Sequence, residues 1–206
     1  KSIVVVVSLV TILFAGWTFR SMNNNWDESK HLHPDERYLS MVINAIEPAW
    51  TAREYFDTAT SPLNPGNKDF GFFVYGTLPV FIVRYAGEWT GQVGYDLNTL
   101  LGRTISAVMD TITILLTFFI AKKLFNRWVG LIAAALYAFA VLPIQLAHFM
   151  TVDSFTNTFG MLTVLMAVII LKRPLLSTSV SMGKAKRVWY ALWPYLAFGA
   201  ALGMAT

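Results

Sequence analysis

The chain has 206 residues, of which 14% are charged and 55% hydrophobic, against about 25% charged in an average soluble domain. With a mean hydropathy of +0.52, that balance argues for a membrane protein. The formal net charge of +4 would suit nucleic acid and the absence of cysteine excludes disulfides, a thiolate nucleophile and a cysteine-ligated zinc site, but the placement of the charges argues against a nucleic-acid partner.

The first apolar run, residues 3–19, is close to the lower length for a membrane helix. It lacks a small-residue cleavage site and leads into "RSMNNNW", so it reads as a retained span. Next comes "HLHPDERYLSM". Pro34 suits the first turn of a helix, where its missing donor is harmless, and Asp35 and Glu36 would face the positive end of the helix dipole. Tyr38, Val42, Ala45 and Ile46 recur at helical spacing, with Leu39 and Ile43 widening the stripe. This predicts an amphipathic helix lying on the membrane surface.

The tract "TATSPLNPGNKDFG" is rich in turn formers. The apolar run 70–85 is interrupted by Gly76 and Pro79 and ends near Arg84, so it reads as an interfacial or re-entrant helix. Four further spans are predicted at 104–121, 128–149, 155–171 and 188–206.

Charge sets the expected orientation. Lys122, Lys123 and Arg127 form one acid-free connector, and Lys172, Arg173, Lys184, Lys186 and Arg187 form another. Lys- and Arg-rich loops are cytoplasmic. Ten of the twelve carboxylates lie between Arg20 and Arg103, with seven basic residues. Placing Lys1 and both connectors inside puts residues 20–103 outside, as one long loop between five spans. The chain stops within an apolar run, "AFGAALGMAT", and is expected to be the N-terminal part of a larger multispan protein.

Several residues are candidates for chemistry. Asp35 and Glu36 are ordinary first-turn acids or a reactive pair. Imidazole and carboxylate suit zinc or manganese, so His31 and His33 with Asp35 are a candidate divalent-metal set, against the plainer reading of polar loop residues; no cofactor is assigned. His148 falls near the external end of a span. Asp110 lies inside a span, where a charge costs at least about 2.5–3.5 kcal/mol and needs a partner. Arg103 shares its helix face two turns earlier, about 10.8 Å away. A direct pair is not expected, and a water or another polar group should complete Asp110's hydrogen bonding. Asp153 opens the fourth span.

"HPDERYLSMV" following a first span resembles the first external loop of the GT-C glycosyltransferases that use lipid-linked sugars, with the protein O-mannosyltransferases and lipid A aminoarabinose transferases as the nearest parallels. "FFVYGTLPVFIVRYAGE" is similar to their juxtamembrane helix, and the stretch from "GRTISAVMD" to "TVDSFTNTF" to their arginine-started span, basic turn and later aspartate. "YFDTATSPLNPGNKDFGFFVYGTLP" resembles the branch of that superfamily known by a YYY motif label, with members in Chloroflexi and archaea.

The resemblance implies an all-α GT-C-like membrane bundle with Asp35 as the catalytic carboxylate, Glu36 beside it, and Asp153 as the later aspartate. Arg37 follows Glu36 directly, where the aminoarabinose transferases have an extra residue. Their juxtamembrane Lys-Pro motif has no clean counterpart, and Lys68 is a nearby candidate. The reaction implied is inverting transfer from a polyprenyl-phosphate sugar to an acceptor on the external face of the plasma membrane. Asp35 would take the acceptor proton. Arg103, Arg37 and Lys68, in that order, are candidates to meet the leaving phosphate, with Asp153 and His148 completing the substrate site. A non-catalytic subunit of a membrane complex is the first rival. A transporter built around Asp110 is the second, although its carboxylates would then belong at the midplane.

Overall fold

The structure is a computed structural model and describes residues 2–173 and 183–205; Lys1 and Thr206, to which the predicted topology and the last predicted span extend, lie outside the described residues. Among these residues all regular structure is helical. In chain order the helices are α1 (Ser2–Ser21), α2 (Pro34–Ala45), α3 (Ala52–Phe56), α4 (Thr77–Thr90), α5 (Tyr95–Leu124), α6 (Arg127–Ala138), α7 (Val141–Leu146), α8 (Asp153–Leu171) and α9 (Lys184–Ala205), with a 3-10 turn at Pro65–Lys68.

Four of them are long and apolar enough to cross a membrane: α1, α5, α8 and the Val188–Ala205 stretch of α9. The chain is therefore an all-α, multi-pass membrane protein. The expected continuous span over 128–149 is interrupted: α6 ends at Ala138 and the chain resumes as α7 at Val141. The reason is Pro143. In a continuous helix its ring would clash with the carbonyl four residues back, that of Phe139, and it has no N–H to bond it. Phe139 is the C-cap of α6, so the break falls where proline forbids continuation. Counting the interrupted pair as one broken span gives five crossings.

The chain divides into two compact units. One comprises Lys1–Gly16, Asp110–Ala140 and Thr156–Thr206. Its packing includes Val5, Ile114, Phe118, Leu131, Ala134 and Ala138. Gly130 permits close approach there, since a Cβ would stand 2.9 Å from the Phe118 carbonyl oxygen. Small residues at such contacts let membrane helices pack backbone to backbone.

The other unit comprises Trp17–Met109 and Val141–Phe155 and holds the long loop. The stripe of α2 is buried in protein and does not face a membrane: Leu39, Val42, Ile43 and Ile46 are fully enclosed with Leu63, Val80, Val83 and Met150. Each such side chain contributes about 1.5–3 kcal/mol on burial. The stripe centres on the Leu39 and Ile43 side, and Tyr38 flanks it. Helix α2 stops at Ala45 because Pro48 disfavours helical backbone at Glu47, whose N–H goes instead to Pro62 O at 3.1 Å. The apolar run expected as one helix over 70–85 is helical only from Thr77. Pro79 sits in the first turn of α4, where no backbone donor is missed, and residues 70–76 stay non-helical.

Candidate active site

Helix α2 begins as the sequence requires. His33 is its N-cap, in extended backbone geometry, and its Nδ1 accepts the Glu36 N–H at 3.3 Å. Pro34 follows at the first helical position, then Asp35 and Glu36 in the first turn. Consecutive residues on a helix are turned by about 100°, so the two acids point to different surroundings. Asp35 is exposed. Glu36 is 0% exposed.

Behind the helix start, Glu36 meets Arg103. The guanidinium donates Nε to Glu36 Oε1 at 2.8 Å and Nη2 to Oε2 at 2.6 Å. It also pairs with Asp27, Nη1 to Oδ1 at 3.0 Å and Nη2 to Oδ2 at 2.9 Å, and gives its remaining Nη1 bond to Asn24 O at 2.9 Å. A guanidinium has five N–H donors, and all five are used. Trp26 covers it, its ring centroid 5.4 Å from the guanidinium carbon. Glu36 Oε1 also accepts the Met150 N–H at 2.7 Å. Arg103 bonding and charge hold the Asp27 carboxyl down at about 2, against an opposing effect of burial, with the Leu32 N–H helping. Arg103 is thus a structural tie among the chain after α1, the start of α2, α5 and the turn before α8. The expectation that it meets the leaving phosphate does not fit this geometry, because every donor it would need is already committed.

On the open side of α2, Tyr75 donates its hydroxyl to Asp35 Oδ1 at 3.0 Å. Burial and the Asp35 carboxylate hold the Tyr75 phenol above its ordinary value, and the charge of Asp153 adds to this. Asp35, Tyr75 and Asp153 therefore share one neighbourhood, and both acids are exposed.

The other expected residues are placed differently. Arg37 is exposed, but residues i and i+2 do not share a helix face, so it leaves α2 away from Asp35. Lys68 is at the opposite end of α2, with Nζ 2.8 Å from Glu47 Oε1; its ammonium lowers the Glu47 carboxyl. Twelve helical residues separate the ends of α2, about 18 Å, so Lys68 does not join Asp35. His148 lies against carbonyl oxygens at both ring nitrogens, Ile144 O at 2.8 Å and Met22 O at 3.0 Å. It ties the end of α1 to α7. His33 is the N-cap and stacks on Phe149 with centroids 4.3 Å apart, while His31 Nε2 is 2.7 Å from Asp96 Oδ1. Among the described residues no group of three or more His, Asp or Glu is arranged to hold a metal ion.

In the other unit, Asp110 accepts the Tyr137 hydroxyl at 2.6 Å, and Tyr137 accepts from Asn157 Nδ2 at 2.5 Å. A neighbouring helix thus supplies the polar partner that an intramembrane carboxylate needs.

Two residues of this site were not singled out from the sequence: Asp27 and Tyr75. An arginine at the head of a long apolar helix signals a need for counter-charge, but nothing local says that Asp27, 76 residues earlier, supplies it. Tyr75 lies inside the distinctive "VYGTLP" stretch, yet its spacing from Asp35 carries no pattern.

The family model for dolichyl-phosphate-mannose-protein mannosyltransferases matches residues 87–205. That stretch holds Arg103, Asp110, His148 and Asp153 and stops short of Asp35 and Tyr75. No curated protein matches the chain, and no solved structure does. With more than half of its length matched and its helices built to cross a membrane, the chain belongs to the dolichyl-phosphate-mannose-protein mannosyltransferase family.

Proposed function

We propose that the protein moves a sugar from a polyprenyl-phosphate donor to an acceptor hydroxyl on the extracytoplasmic face of the plasma membrane, with inversion and with Asp35 as general base. The observation that carries this reading is the division of labour between two adjacent acids. Glu36 is locked into the Arg103 tie, while Asp35 stays exposed beside Tyr75, whose phenol also feels the charge of Asp153. A base must be ionised and open to its proton donor, and a helix start favours the charged carboxylate.

In this reading Glu36, Arg103 and Asp27 are positioning residues that set the angle of the first turn of α2. Asp153 binds hydroxyls of the substrates. No cation of the described residues is assigned to the leaving phosphate: Arg103 is fully engaged, Arg37 leaves α2 away from Asp35, and Lys68 is paired with Glu47 beyond the far end of α2. The isoprenoid chain lies in an open apolar groove of about 390 Å³ lined by Trp26, Val141, Ile144, Gln145, His148 and Phe149. Phe149 stacks on His33, two residues from Asp35, so that groove leads to the helix start. GT-C architecture and kinship with the YYY-labelled branch belong to the same proposal.

The test is release of polyprenyl phosphate from dolichyl-phosphate mannose, and from polyprenyl-phosphate hexoses of other stereochemistry, by the purified full-length protein. Release that depends on Asp35 supports the reading; no release from any donor overturns it. The second reading, a non-catalytic subunit with the same fold, draws on the family match stopping short of Asp35, and predicts an unchanged membrane complex when Asp35 is replaced by Asn.

A further inference from the structure

Residues 70–76 cross the first turns of α2 without a helix of their own. Tyr38 holds them there. Its hydroxyl donates to Phe72 O at 2.7 Å, and its ring meets those of Phe70, Phe73 and Tyr75 at centroid distances of 5.8, 6.4 and 6.0 Å. Phe73 and Tyr75 also meet edge-on at 6.0 Å. Asp35 is one turn before Tyr38, and residues three apart share a helix face. The segment that Tyr38 holds thus runs along the face that carries Asp35, and the Tyr75 hydroxyl lies 3.0 Å from Asp35 Oδ1.

Resting on the transferase reading above, we infer that Tyr75 is a positioning residue for Asp35: its hydroxyl occupies Oδ1 and turns the carboxylate so that Oδ2 is presented to the acceptor. The two oxygens of a carboxylate are chemically equivalent, and rotation about the terminal side-chain torsion is soft. A donor fixed on one of them removes that freedom and leaves one defined base. The step then balances as follows. The acceptor proton passes to Oδ2, the acceptor oxygen bonds to the anomeric carbon, and the carbon–oxygen bond to phosphate breaks with its electron pair leaving on the polyprenyl phosphate. Tyr75 keeps its proton throughout. Burial and the neighbouring carboxylates hold its phenol above the ordinary value, so it stays a donor at neutral pH.

The experiment has two arms on the full-length protein in lipid nanodiscs. In the first, Tyr75→Phe preserves the ring contacts and removes only the donor. Misplacing a reacting group costs up to about 100-fold in rate, so kcat with dolichyl-phosphate mannose should fall about 10- to 100-fold with KM unchanged. In the second, which needs no turnover, the Tyr75 phenol is titrated by carbon-13 tyrosine resonances, assigned with Tyr75→Phe. Asp35→Asn should move that titration to lower pH. A titration indifferent to Asp35→Asn, or a Tyr75→Phe protein with wild-type kcat, overturns the inference alone. A wild type that turns over no donor, even with the titration coupled, overturns the transferase reading and the positioning role with it.

Discussion

Asp35 and Glu36 invite a paired experiment because they are chemically alike, adjacent and oppositely placed. Asp35→Asn removes an exposed charge from the first turn of α2. The loss in stability should be that of a surface dipole interaction, about 0.3–1 kcal/mol, while loss of a general base costs about 10²–10⁴-fold in rate. Glu36→Gln acts in the interior. Glu36 is 0% exposed and Arg103 1% exposed, and the pair closes at 2.6 Å. The amide oxygen can still accept from Arg103 Nε and the Met150 N–H, but the amide nitrogen then faces Arg103 Nη2, donor against donor. Removing one member of a buried ion pair costs about 3–5 kcal/mol. For a chain of this size each kcal/mol is worth about 2–4 °C in Tm, so a fall of roughly 6–20 °C is expected. The assay is thermal unfolding of both variants in one lipid nanodisc preparation, followed by polyprenyl phosphate release at equal folded protein. Asp35→Asn should melt near wild type and scarcely turn over; Glu36→Gln should melt early and retain turnover while folded. The reverse assignment of effects, or near-normal turnover by Asp35→Asn, refutes the division of roles drawn from the geometry.

Three further outcomes are expected. The Asp27 carboxyl is depressed from 3.8 to about 2 by Arg103, so its stabilisation is complete above about pH 4 and is lost as pH falls through 2; the Tm gap between wild type and Asp27→Asn should close over that window, and a gap independent of pH would contradict the ion pair. With no native cysteine, single variants Asn25→Cys and Gly66→Cys should react with an impermeant thiol reagent in intact cells and Asn126→Cys should not; labelling at 126 would reverse the proposed orientation. Gly130→Ala places a Cβ 2.9 Å from the Phe118 carbonyl oxygen, an overpacking worth about 1–3 kcal/mol, and an unchanged Tm would show that the helices yield more readily than their packing implies.

What could be read without coordinates was whatever depends on neighbours in sequence. Hydropathy over some twenty residues identifies α1, α5, α8 and α9, because a bilayer offers backbone groups no partners and forces each span to satisfy itself. The start of α2 was legible for the same local reason: Pro34 with two acids behind it is helix-start chemistry. The break in the third expected span was legible in principle, since Pro143 acts on a carbonyl only four residues away, yet the apolar run around it conceals the stop. Tertiary structure decided the rest. Nothing local distinguishes Asp35 from Glu36; that distinction comes from one step of helix rotation against an arginine 67 residues further on. The stripe of α2, equally suited to a membrane surface, is claimed by α4 and Met150. The partners of Arg103 lie 67 to 79 residues from it in sequence, and a buried guanidinium takes whichever carboxylates the folded chain brings within 3 Å, a selection made by three-dimensional proximity and the cost of leaving a buried charge unpaired.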